Sequence, residues 1–286
     1  MEIKEKVIVI DWSIFLHMST YASKRMAMQP TYMAMTMILS NLKKIGVEPC
    51  DEVIIACDHM GSWRKDYIPK AKADRQAVKD KSGIDWTKIY KEFDELLEKV
   101  GVSTNWQIVK IPHIECDDIM AVCCRYYKDK EVILVTSDSD LEQCWNYENV
   151  RIFSPHRLKK SYKIKPKNFN ICKVIAKLVT TKGHNNLDIN LENEEDYATK
   201  ELCVNLLTLP DWVENKIKEE LDKLQPKTDN IDEFPFHKLK ERYGSLYNNK
   251  DNIITYEKCV AKEERKIAKK KKTKLKQKLQ KQKVKK

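Results

Sequence analysis

The sequence predicts an α/β unit built on a mainly parallel sheet, followed by a smaller helical half. Two observations carry this expectation: four short runs rich in Val and Ile, each ending in a polar residue, and segments of helical period between them. Strands interleaved with helices favour parallel pairing with helices on the sheet faces. From Lys167 to about Lys250 no strand pattern appears and the spacing is helical.

The first strand is expected at Lys6 to Asp11, the second at Asp51 to Asp58, the third at Trp106 to Pro112 and the fourth at Glu131 to Ser137. Helical patterns span Thr31 to Lys44, Trp86 to Val100 and Cys116 to Tyr127. Methionines between Met26 and Met37 fall at helix-core spacing and are read as packing residues rather than a soft binding surface.

The chain has 286 residues, with 54 Lys+Arg against 43 Asp+Glu and a net charge of +11. This length can bury a sizeable core as one large domain or two small ones. No apolar run approaches the roughly 20 residues of a membrane span, and the apolar stretch Val7 to Ile10 is not a signal peptide. A cytoplasmic setting without membrane contact is expected. Charge is unevenly placed. Residues 262–286 hold 14 Lys+Arg and 2 Glu, a net of +12, so the other 261 residues, with 40 basic and 41 acidic, net −1. Arg151 to Lys182 has 10 basic residues and no acid, while Asp188 to Glu233 has 14 acidic and 5 basic. Such asymmetry points to a polyanionic partner. The Lys-rich tail is expected to be disordered when free and to add salt-sensitive affinity for nucleic acid.

Nine cysteines with no CxxC pair imply reduced thiols rather than a disulfide framework. His17, His59, His113 and Cys116 lack the short paired spacing of a zinc site.

The carboxylates carry the chemistry. Asp11 closes the first strand and Asp58 the second; Asp138 and Asp140 follow the fourth, two apart and facing the same way if extended. After the third strand, Glu115, Asp117 and Asp118 open a helix, and Glu115 and Asp118 can share a face. Carboxyl ends of parallel strands lie along one edge, where ligands bind. Seven acids would converge there and repel one another, and divalent cations relieve that repulsion. An all-oxygen set suits Mg²⁺ or Mn²⁺, and two such ions about 4 Å apart serve in-line phosphodiester hydrolysis. The plainer alternative is that any one of these acids caps the helix behind it.

In order and spacing, Val7-Ile-Val-Ile-Asp11-Trp-Ser13, Ile54-Ile-Ala-Cys-Asp58-His59, Ile114-Glu-Cys-Asp-Asp118-Ile119 and Thr136-Ser-Asp-Ser-Asp140-Leu-Glu-Gln143 resemble the acidic motifs of the flap endonuclease and 5′-nuclease family. The stretches from Ser62 to Arg75 and from Pro210 to Leu221 look closest to phage ribonuclease H of the T-even type. The resemblance covers roughly residues 1–250. It implies a PIN-like α/β nuclease domain at 1–165 with a helical arch around 60–84, a helical DNA-binding region with a helix-hairpin-helix-like element at 166–255, and the Lys-rich tail at 256–286.

The same resemblance implies a Mg²⁺-dependent 5′-3′ exonuclease and flap endonuclease that removes RNA primers in phage DNA replication or repair, acting in the bacterial cytoplasm. Its substrates would be branched or nicked DNA and RNA·DNA duplex, with a single-strand binding protein or clamp as further partner. By position, the seven acids match the family's metal ligands, and Arg64 and Lys72 its basic active-site residues. Arg suits bidentate contact with the scissile phosphate and Lys a point charge. Lys65, Arg75, Lys177, Lys182 and Gly183 are candidate nucleic-acid contacts.

One motif departs from the family pattern. Where Gly-Asp-x-x-Asp-Asn is expected, the chain reads Lys182-Gly-His-Asn-Asn-Leu-Asp188, which leaves His184 and Asp188 as weak substitutes for the second ion's ligands. This keeps open an alternative of another class: a branched-DNA-binding replication accessory with impaired catalysis.

Overall fold

Side-chain alternation along the central strand organises the molecule. Ile8 and Ile10 of β1 (Lys6–Asp11) enter one core, and Val7 and Val9 enter the other. The computed structural model describes residues 5–48, 50–71, 74–156, 161–181, 193–225, 230–244 and 246.

After β1 come α1 (Trp12–Met26), α2 (Pro30–Ile45), β2 (Glu52–Cys57), α3 (Arg64–Tyr67), α4 (Asp74–Lys81) and α5 (Trp86–Ser103). Then follow β3 (Gln107–Lys110), α6 (Cys116–Tyr126), β4 (Glu131–Val135), a 3₁₀ turn at Asp140–Asn146, β5 (Val150–Ser154) and β6 (Ser161–Tyr162). Four helices complete the described chain: α7 (Ile171–Thr180), α8 (Glu194–Val204), α9 (Asp211–Asp222) and α10 (His237–Gly244).

The strands form one sheet in the order β3-β2-β1-β4-β5-β6, parallel except for β6, which runs antiparallel to β5. The chain leaves β1 toward β2 on one side and reaches β4 on the other, so the order reverses between β1 and β4. That reversal opens a crevice at the carboxyl ends of these two strands. Asp11 ends β1, and Asp138 follows β4 at the same edge.

Residues of α1, α2, α5 and α10 cover one face, and residues of α6 and α9 cover the other. Helices α9 and α10 are therefore part of the same two cores. Val213, Ile217 and Leu221 of α9 form a buried stripe at four-residue spacing, each worth about 1.5–3 kcal/mol of burial. Val179 of α7 and Cys203 and Val204 of α8 form a smaller cluster with Ile68 and Ala71.

The expected strands and helices are all present. The elements not anticipated are α1, β5 and β6. Helix α1 buries Trp12, Phe15 and Leu16 together with Ser19, Thr20 and Ser23. The three hydroxyls bond to carbonyls within the helix, at Leu16 and Thr20, so half of its buried stripe reads as polar. Strand β5 lies inside the basic block, with Arg151 on the outside, its guanidinium 3.7 Å from the Tyr162 ring of β6. The described cysteines are all free, and Cys57, Cys116, Cys123, Cys124, Cys144 and Cys203 are buried.

Candidate functional site

The acids at the sheet edge are held by a chain of short local bonds. Asp11 does two things at once. It caps α1 by accepting from Ile14 N at 3.2 Å, and its other oxygen accepts from Thr136 Oγ1 at 2.9 Å. Thr136 in turn accepts from the amide of Asp138 at 3.0 Å, so one hydroxyl joins the ends of β1 and β4. Asp58 accepts from Ser13 Oγ at 2.5 Å and from the Cys116 amide at 2.8 Å. The first turn of α1 and the first turn of α6 thus fix it from two sides.

Asp11 is buried, whereas Asp58 is exposed and Asp117, Asp138 and Asp140 are intermediate. The set is graded from the interior to the solvent. Burial first, and then the charge of Asp58, push the Asp11 carboxyl from its usual 3.8 up to about 7; the Ile14 and Thr136 hydrogen bonds offset only part of this. Ligand atoms of Asp11, Cys116 and Asp117 lie within 4.8 Å of one another. A buried acid resisting ionisation beside further acids fits a divalent cation. Asp11, Asp58, Asp117, Asp138 and Asp140 supply the hard oxygens that Mg²⁺ or Mn²⁺ prefers.

The Asp11 shift has a consequence for the metal-free chain. Its stabilising contribution is complete below pH 3.8 and is lost as pH rises through about 7, because the unfolded carboxyl releases its proton first. Urea melts in EDTA should show this as lower stability at pH 8 than at pH 5, on the order of a few kcal/mol from this group. Asp11→Asn should flatten the slope, and Mg²⁺ should restore stability at pH 8 only in the wild type. A wild-type slope unchanged in Asp11→Asn would contradict the assignment.

Two local features set how the acids are oriented. Asp138 and Asp140 do not lie on extended chain: Asp138 Oδ1 accepts from the Asp140 amide at 2.9 Å and starts the 3₁₀ turn. Glu115 and Asp118 are bound by Arg64. Arg64 is 4% exposed. Its Nη1 donates to Glu115 Oε2 and Asp118 Oδ2, both at 2.9 Å, and its Nη2 to Asp118 Oδ1 at 2.6 Å. Its Nε donates to the Cys203 carbonyl at 2.7 Å, and the guanidinium lies 4.5 Å from the Trp63 ring centroid.

Asp118 is 0% exposed and also accepts from Trp63 Nε1 at 2.8 Å and its own helix's Glu115 amide at 3.3 Å. Burial alone would lower the Arg64 pKa, but Asp118 and then Glu115 outweigh it and hold the charge firmly. Arg64 was expected at the scissile phosphate. In this structure its guanidinium pairs with Asp118 and Glu115 at the start of α6, on which Asp117 sits.

A strained pair of loops supports this clamp. Gly61 has φ +90° and His113 φ +64°, and Trp63 N donates to the His113 carbonyl at 2.9 Å. A Cβ on Gly61 would lie 2.7 Å from His113 Nδ1. Gly61→Ala is therefore expected to cost about 1–3 kcal/mol, through both the left-handed backbone and the clash. A thermal melt within 1 °C of wild type would contradict this.

The basic residues divide in the same way. Lys163, partly exposed, braces the Asp138 loop, reaching the Asp138 carbonyl at 3.2 Å and Glu142 at 2.9 Å. Lys65 on α3 and Lys177 on α7 are exposed. Arg75 falls on α4. Lys72, Lys182, Gly183, His184 and Asp188 lie outside the described residues. Sequence reasoning passed over Ser13, Trp63, Thr136 and Gln143. Gln143 is fully buried and binds the Val204 carbonyl and Leu206 amide, tying the Asp140 turn to the end of α8. Thr136 and Ser13 each stand two residues from a motif acid, which is the signal that could have found them.

With this geometry in view, comparison with known proteins is decisive. The model of the 5′-3′ exonuclease N-terminal resolvase-like domain matches residues 6–177. The chain belongs to the 5′-3′ exonuclease family. Ribonuclease H of Enterobacteria phage T4 is 25% identical over 138 residues, covering 47% of this chain and 45% of that protein. The chain thus matches less than half the length of that relative. The T5 D15 protein co-crystallised with metal ions superposes with a TM-score of 0.56 at 13% identity, over 76% of this chain and 99% of that one. At that identity the likeness establishes the fold, a mostly parallel sheet flanked by helices as expected. No described helix is long and apolar enough to cross a membrane.

Proposed function

We propose that this member of the family is a divalent-metal-dependent, structure-specific 5′ nuclease acting on branched or nicked DNA and RNA·DNA duplex, in phage replication or repair. The observation that carries the reading is the convergence of Asp11, Asp58 and Asp117 with the Asp138–Asp140 turn at the sheet's reversal point, with the Asp11 carboxyl pushed up to about 7. Family membership and the likeness to the phage T4 ribonuclease H support the same chemistry.

Asp11, Asp58, Asp117, Asp138 and Asp140 are the residues that would hold Mg²⁺ or Mn²⁺. Such cations, when bound, acidify water and steady charge developing on the phosphate. The chain's own part is positional. Thr136 fixes Asp11 relative to Asp138, Ser13 and the Cys116 amide fix Asp58, and Arg64 fixes the turn that presents Asp117. Glu115 and Asp118 serve that scaffold. Lys65, exposed on α3 next to Arg64, and Lys177, exposed on α7, would contact backbone phosphate.

The test is a 5′-flap duplex incubated with the protein in Mg²⁺, in Mn²⁺ and in EDTA. Products are expected with either metal and absent with EDTA. Tight flap binding with no products in either metal would instead favour the accessory role suggested by the Gly183-His184 departure.

A further inference from the structure

The segment that joins β6 to α7, from Lys163 to Asn170, straps down the turn that carries Asp138 and Asp140. It starts on β5, where the Lys163 amide donates to the Ile152 carbonyl at 2.8 Å. Ile164 faces solvent at 88% exposure, while the lysines on either side of it reach back to the turn. Lys165 Nζ donates to the Trp145 carbonyl at 2.5 Å, near the turn's far end. The Phe169 ring packs against the Trp145 ring, with centroids 5.9 Å apart.

Lys163 makes the contacts that bear on the acids. Its Nζ donates to the Ser137 carbonyl at 3.4 Å, the Asp138 carbonyl at 3.2 Å and Glu142 Oε1 at 2.9 Å. The two carbonyls belong to the peptide planes on either side of the Asp138 Cα. The amide of the first plane is already held by Thr136 Oγ1. Both soft dihedrals of Asp138 are thereby set, and with them the direction in which its carboxylate leaves the chain. The Lys163 side chain is 19% exposed and its charge is matched by Glu142. It braces the turn without placing an unbalanced positive charge beside a cation site.

We propose that Lys163 is a positioning residue for the divalent cation, acting through the backbone of Asp138. An ammonium has no lone pair to offer the ion itself. The proposal deepens the nuclease reading and rests on it for the presence of the ion. Two other roles for the same lysine would leave different marks. A lysine felt only as charge would repel a cation, so its loss would tighten metal binding. A lysine gripping phosphate would change flap affinity and its salt dependence instead.

The experiment titrates Mn²⁺ into the full chain without nucleic acid and reads free Mn²⁺ by electron paramagnetic resonance, with a melt in EDTA for each variant. Lys163→Met should weaken Mn²⁺ binding by about tenfold, the low end for losing an outer-shell partner. Lys163→Arg keeps donors of similar reach and should stay within about threefold of wild type. Lys165→Met removes the same charge from the same segment but leaves the Asp138 carbonyl held, and should also stay within about threefold. If Lys163→Met melts early, Lys163→Gln keeps a polar side chain one bond too short for these contacts and should show the same weakening. On a 5′-flap duplex, Lys163→Met should need about tenfold more Mg²⁺ for its half-maximal single-turnover rate, while the rate at saturating Mg²⁺ falls less than about threefold. Unchanged or tighter Mn²⁺ binding in Lys163→Met would overturn the positioning role. So would a loss confined to flap affinity, an equal weakening in Lys165→Met, or no rescue by arginine. A wild-type chain that binds no Mn²⁺ would overturn the nuclease reading as well, which tells the two failures apart.

Discussion

Arg64→Gln should lower stability by about 3–5 kcal/mol, because it strands Asp118 and Glu115 as buried charges without a counter-ion. For a chain of this size that is a melting temperature roughly 5–15 °C lower. Metal-dependent cleavage should fall with it, since the first turn of α6 carries Asp117. Two companions separate a structural counter-ion from a phosphate ligand. Adding Asp118→Asn to Arg64→Gln removes the stranded charge yet leaves an oxygen for Trp63 Nε1, and should recover part of the loss. Arg64→Lys should be intermediate, because one ammonium cannot reproduce a fork that reaches two carboxylates and the Cys203 carbonyl. If Arg64→Gln melted within 1 °C of wild type and changed only turnover, Arg64 would be a phosphate ligand after all.

The same residue shows what was legible from sequence and what was not. Strands at Lys6, Glu52, Gln107 and Glu131 declared themselves as Val/Ile runs, and the acids at their ends followed from the rule that parallel strands end at one edge. Spacing located the acids but could not say which way each one points. Asp117 and Asp118 are adjacent on a helix and so separate by about 100°. Asp117 stays partly open beside Asp11, while Asp118 is sealed against Trp63 and Arg64.

Arg64 itself sits in a basic stretch matched to the family's active-site residues, and only the tertiary approach of Glu115, Asp118 and Cys203 draws it inside. Helix α1 escaped notice because Ser19, Thr20 and Ser23 satisfy their hydroxyls within the helix and pack as though apolar. Lys163 and Arg151 made the basic block look like one binding surface. In the fold, Lys163 braces the Asp138 loop and Arg151 stacks on Tyr162 and pairs with Glu131.

Asp138→Asn bears on the central claim with the least disturbance. An asparagine oxygen can still accept from the Asp140 amide, and the Thr136 hydroxyl still accepts from the backbone of residue 138, so the turn should persist. What changes is one negative charge at the crevice between β1 and β4. Folding and flap binding are therefore expected close to wild type, with metal-dependent cleavage reduced by more than about 100-fold, beyond the cost of losing an outer-shell partner. The direct measurement is the single-turnover cleavage rate of a 5′-flap duplex in saturating Mg²⁺, wild type against Asp138→Asn. A loss of that size at intact flap affinity is the predicted result. A rate within about threefold of wild type would contradict the placement of the hydrolytic centre at these acids.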